Sequence, residues 1–176
     1  MRFRRWSAIL HLYPSDEKRG TTRRLFTSSW RSIYAAWLYD GPLPVACVRI
    51  SKGVPRWWPE AREFPYIEQL TPPGWVYAVG KIDPERADRG YRAGLHRLGL
   101  DRVRALIEAA VGDDPRPPCL LCWDRPEDCH RGPTGFAGWW FHKTGEQVKE
   151  LSLLQGLEGG VALVYEQSTP RSARRE

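Results

Sequence analysis

Cys119-Leu-Leu-Cys-Trp-Asp-Arg-Pro-Glu-Asp-Cys-His-Arg131 is the stretch on which the fold turns. The apolar run Cys119 to Trp123 has the length and composition of a buried strand, Asp124 to Asp128 form a polar loop, and the spacing predicts entry into a helix near Cys129. Strand, loop and helix in that order build an open α/β sheet, where ligands bind outside the carboxyl ends of the strands. Three of the four cysteines, one of the four histidines and three carboxylates fall within these residues. The stretch that indicates the fold therefore also concentrates the reactive groups.

Working towards the N-terminus, Leu25 to Thr27 reads as a short strand. Ser28 is then a suitable N-cap for a helix to about Leu38, with Trp30, Ile33, Tyr34 and Trp37 on one face. Val45 to Ile50 reads as a second buried strand. Ser51 to Gly74 is rich in proline, but Trp57, Trp58, Phe64, Tyr66 and Leu70 make it an ordered loop rather than a disordered one. Trp75 to Val79 has strand composition. Pro84 to Val111 shows helical period: Tyr91, Leu95 and Leu98 share a face, Gly99 interrupts, and Asp101 is placed to cap a second helix. Val103, Leu106, Ile107 and Ala110 form that helix's buried stripe.

Towards the C-terminus, the pattern predicts a helix over 135–142, a strand over 148–153 and an edge strand over 161–165. The alternation predicts an α/β fold: a single compact domain with a mostly parallel sheet flanked by helices, and a long Pro/Trp-rich ordered loop.

The 176 residues suit one domain with one sizeable core. The net charge of +6 lies at the ends. Residues 1–24 carry seven basic and two acidic side chains, residues 171–176 carry three and one, and the middle carries 17 against 18. This divides the chain into a basic N-terminal extension (1–24), the α/β domain (25–166) and a basic, disordered tail (167–176). Basic ends add solubility and, less often, salt-sensitive attraction to phosphates. The start resembles a secretory signal in its basic residues, but His11 and Pro14 break its apolar part. No apolar run approaches the roughly 20 residues that span a bilayer. The expectation is a cytoplasmic protein with thiols rather than disulfides, without membrane association. The pattern specifies no oligomeric state.

The candidate catalytic residues are Cys122, Cys129, His130 and Asp124. A thiol at a helix N-terminus next to His130 and Arg131 favours its thiolate, and the same amides with Arg131 suit a phosphate or carboxylate. Asp124 can orient His130 or receive a proton. After the Val45 strand, Ser51, Lys52 and Arg56 offer an anion site and Trp57 a stacking surface for a base. Ser28 adds a hydroxyl from the first strand. The plainer alternative makes Cys122 a core residue, His130 a backbone cap and at least one of Trp57 and Trp58 a core plug. Cys47 reads as a small core residue. No cofactor is required. Structural zinc on Cys119, Cys122, Cys129 and His130 is the disfavoured alternative, because residues three apart on a strand point to opposite faces.

The chain resembles the domain-of-unknown-function 488 family across roughly residues 25–151. The resemblance rests on Thr27-Ser-Ser29, Arg49-Ile-Ser-Lys-Gly-Val-Pro-Arg-Trp57, Tyr66 with Leu70-Thr-Pro72, and Leu121-Cys-Trp-Asp124 running into Cys129-His-Arg131. Ser51, Pro55, Arg56, Cys122, Cys129, His130 and Arg131 match the family pattern, while Asp124 stands where a glutamate is usual. The resemblance implies a compact α/β domain whose signature residues gather at one site. Together these features point to an enzyme acting on a nucleotide or on a base in nucleic acid. The alternatives are a non-catalytic nucleic-acid-binding module and an accessory protein with structural zinc.

Overall fold

The structure, a computed structural model of the chain, describes residues 23–80, 83–123, 133–155 and 161–166. In chain order the elements are β1 (Phe26–Ser29), α1 (Trp30–Asp40), β2 (Ala46–Arg49), two 3-10 turns (Pro59–Glu63 and Glu68–Leu70), α2 (Gly74–Gly80), α3 (Pro84–Leu98) and α4 (Leu100–Val111). They are followed by β3 (Pro118–Cys122), α5 (Pro133–Thr144), β4 (Lys149–Gln155) and β5 (Val161–Glu166).

The strands form one sheet in the order β2-β3-β1-β4-β5. The first four run parallel, and β5 closes the far edge antiparallel to β4. Strand β3 is buried along its whole length, which is why its sequence is a continuous apolar run rather than an alternating one. Its alternate residues still separate. Leu120 and Cys122 pack with α3, α4 and α5 through Tyr91, Leu95, Val103, Ile107, Phe136 and Trp139. Cys119 and Leu121 face the other way, onto Trp30, Ile33 and Ala36 of α1.

Three local expectations are corrected. The first strand continues to Ser29, so Ser29 rather than Ser28 caps α1, its side chain accepting from the Ser32 N–H at 3.2 Å. Trp75 to Val79 is helix α2, not a strand. Pro72 and Pro73 lead into it, Val76 bonds back to the Pro73 carbonyl, and the Trp75 ring packs where Gly90 of α3 leaves room. Packing against α3 overrides the strand-like composition. The second half of the Pro84–Val111 region starts from Gly99, with φ of 83°, and Asp101 sits in the first turn instead of at the cap. The ordered Pro/Trp-rich loop is as expected. It carries both 3-10 turns, and Arg49 bridges Tyr66 in parallel at the β2 edge.

Candidate site at the carboxyl edge of the sheet

Chain direction fixes where a crevice can open. After β1 the chain passes to α1 on one face of the sheet, and after β3 it passes to α5 on the other. The connection from β1 runs towards β2 at one edge, that from β3 towards β4 on the opposite side, and right-handed crossovers in opposite directions must use opposite faces. Strands β1 and β3 are neighbours, with Ser29 level with Cys122. The gap between their carboxyl ends is thus the sheet's topological switch point, where open α/β folds bind ligands.

Trp30 is the hub of this rim. Its indole N–H donates to Ser51 Oγ at 3.1 Å, and Ser51 in turn donates to the Gly53 carbonyl at 3.0 Å. These bonds tie the loop after β2 to the start of α1. The Trp123 ring, just past β3, lies 6.5 Å from Trp30 between centroids. It also packs beside Gly53, where a Cβ would stand 3.7 Å from Trp123 Nε1. Three segments distant in sequence therefore meet, as the position of their strands in a parallel sheet requires.

The expected residues divide by role. Ser51 is fully buried and holds the loop by two hydrogen bonds. Ser28 is also fully buried, and its hydroxyl donates to the Leu151 carbonyl at 2.6 Å, so it joins β1 to β4 rather than facing the rim. Cys122 lies at the end of β3 with 1% exposure, inside the core. Lys52, Arg56 and Trp57 are exposed, and Trp57 rests on Tyr34 of α1 at 4.6 Å. Of the two adjacent tryptophans, Trp58 is the core plug at 1% exposure and Trp57 is 47% exposed. Asp124, Cys129, His130 and Arg131 lie outside the described residues. Trp123, also 47% exposed, was not among the expected site residues. Its signal is its place one residue past a buried strand, where an aromatic ring gains no strand pairing.

Burial controls the described thiols. It pushes Cys47 up to about 12, an effect opposed by Arg116 and reinforced by Asp114. It pushes Cys119 well above its ordinary value, with Cys47 and Glu150 adding to the shift. Both remain protonated at neutral pH and behave as small core residues. Because Cys119 and Cys122 face opposite sides of the sheet, one ion cannot be held by both.

Fold and rim together define a class: a single α/β domain whose topological switch point lies between β1 and β3. No family model, curated protein or solved structure matches the chain. Among the described residues no helix is long and apolar enough to cross a membrane.

Proposed function

We propose that the protein is an enzyme acting on a nucleotide, or on a base within a nucleic acid, at the β1/β3 switch point. The observation that carries this reading is the convergence of the three carboxyl-end loops around Trp30, with exposed Trp123 leading directly into Asp124. Exposed indoles offer stacking surfaces to a base. Lys52 and Arg56, exposed in the loop after β2, supply positive charge for phosphate, and Arg131 adds a planar guanidinium from the loop after β3. The first turn of α1 begins at the same edge, with its Ser32 N–H held by the Ser29 side chain.

In this reading Cys129 is the nucleophile or acid/base partner, His130 transfers protons, and Asp124 orients His130. Cys122, buried at the end of β3, belongs to the core. Membership of the domain-of-unknown-function 488 family, suggested by the sequence motifs alone, would imply the same grouping of residues. The test replaces Cys129 with Ser and Arg131 with Ala, separately, and compares turnover on a panel of nucleotides and oligonucleotides. Loss of turnover in both variants supports the assignment, and unchanged turnover in both removes it.

One feature favours a second reading. Basic side chains at both chain ends suit a nucleic-acid-binding module without chemistry. That reading predicts salt-sensitive binding that weakens on removal of residues 1–24 and survives Cys129→Ser.

A further inference from the structure

The 3-10 turn Pro59–Glu63 carries two carboxylates to one side. A 3-10 helix repeats every three residues, so Glu60 and Glu63 stand in line, while Ala61 between them is fully buried and fixes the turn to the core. Both glutamates are exposed, and both line a cavity of about 430 Å³ along the β2 edge of the sheet. Asp114 lines it too, beside the guanidinium of Arg116. That guanidinium is already engaged: its Nε donates to Asp114 Oδ1 at 2.9 Å and its Nη1 to the Leu43 carbonyl at 3.0 Å. Three carboxylates against one guanidinium leave the lining acidic, in a chain whose net charge is +6.

Aromatic rings supply another part of the wall. Trp58, at 1% exposure, is the anchor: its ring lies 5.6 Å from that of Trp37 and 5.2 Å from that of Phe64, the latter nearly perpendicular at 85°. Trp37 is 38% exposed and Phe64 is half-buried, so these two rings keep surface for an occupant. All three line the cavity, together with the aliphatic side chains of Leu43 and Val45. The Trp58 indole N–H is buried and meets no acceptor among the described residues. An occupant bearing an oxygen would satisfy it.

We propose that this cavity binds a small organic cation of the quaternary ammonium class that carries an oxygen acceptor. Such a cation spreads its charge over methyl groups, which offer no N–H donors and hold water weakly. It leaves water readily for aromatic faces, which attract it through their quadrupoles. Glu60 and Glu63 then stabilise the same charge from the exposed mouth. A primary ammonium is strongly hydrated and loses more on entering. An anion is repelled by the carboxylates, and a neutral apolar molecule makes no use of them. The volume falls within the range of small-ligand sites. Trp30, Ser51 and Trp123 do not line this cavity, which is therefore separate from the β1/β3 rim.

Titration of choline into the full-length ¹⁵N-labelled chain tests this through the indole N–H resonances of Trp37 and Trp58. Choline is expected to shift both in a saturable way. Ethanolamine, and the neutral alcohol in which carbon replaces the choline nitrogen, should each bind about ten-fold or more weakly. Glu60→Gln with Glu63→Gln, both exposed positions, should weaken choline about ten-fold and leave the neutral alcohol unchanged. Absence of a saturable shift with choline overturns the proposal, as does equal affinity for choline and either comparison ligand. Full choline affinity in the double glutamine variant also overturns it, because the cavity then accepts its occupant as apolar space alone.

Discussion

Trp30 and Ser51 are joined by a buried hydrogen bond of 3.1 Å that links the first turn of α1 to the loop after β2. Both residues are almost fully buried, so neither can exchange this bond for water. Ser51→Ala leaves the indole N–H unsatisfied and frees the Gly53 carbonyl, and it is expected to destabilise the fold by about 1–3 kcal/mol. Urea denaturation followed by tryptophan fluorescence measures this. A change below about 0.5 kcal/mol would show that the rim is not held by this bond.

Trp30→Ala is expected to cost more, about 3–5 kcal/mol, because it empties a buried site between β1, α1 and the loop. The ring stacks on Phe64 and meets Trp58 edge-on, at 6.4 and 6.2 Å between centroids. The check is the denaturation midpoint of this variant compared with Ser51→Ala. Trp30→Ala should be the less stable of the two.

Thiol reactivity should separate the four cysteines. Burial pushes Cys47 up to about 12 and Cys119 well above its ordinary value, and Cys122 is enclosed in the core. At pH 8 a disulfide reagent is expected to titrate one thiol per native chain quickly and four after denaturation. The fast thiol should disappear in Cys129→Ser. Its persistence in that variant would remove Cys129 from the reactive role.

Acid stability should reveal the clamp between Asp114 and Arg116. The guanidinium accepts no proton loss in this range, and its bonds to the carboxylate, with Nε 2.9 Å from Oδ1, hold Asp114 down at about 2 from an ordinary 3.8. A carboxylate with a depressed folded-state value stabilises fully above its unfolded value and loses that contribution as pH falls through the folded one. Stability should therefore drop more steeply between pH 4 and 2 in the parent than in Asp114→Asn. Parallel acid-unfolding curves for the two proteins would contradict the clamp.

Much of the fold was legible because burial leaves a period in the sequence. The continuous apolar run of β3 and the i, i+3, i+4 stripes of α3 and α4 each specify one element with few competitors. Trp75 to Val79 misled because aromatic and β-branched residues suit a strand, while the space beside Gly90 that accepts the Trp75 ring is a tertiary fact with no local signature. The shared rim was legible in outline: loops after neighbouring parallel strands must share an edge. Individual roles were less so. Ser28 and Ser29 are equivalent by composition, and only the register of β1 against β3 and β4 turns one towards Leu151 and the other to the helix cap. Trp57 and Trp58 divide between surface and core for the same reason, since adjacent residues in a turn point apart.

The most direct test of the proposed site follows the indole N–H resonances of a ¹⁵N-labelled full-length chain during titration with adenosine, uridine, guanosine and cytidine monophosphates and a short oligonucleotide. The account predicts that at least one ligand shifts Trp123 and Trp57, leaves Trp139 on the opposite face in place, and binds about ten-fold or more weakly to Arg131→Ala. Shifts confined to Trp139 and Trp75, or no shift with any of these ligands, would contradict a nucleotide site at the β1/β3 switch point.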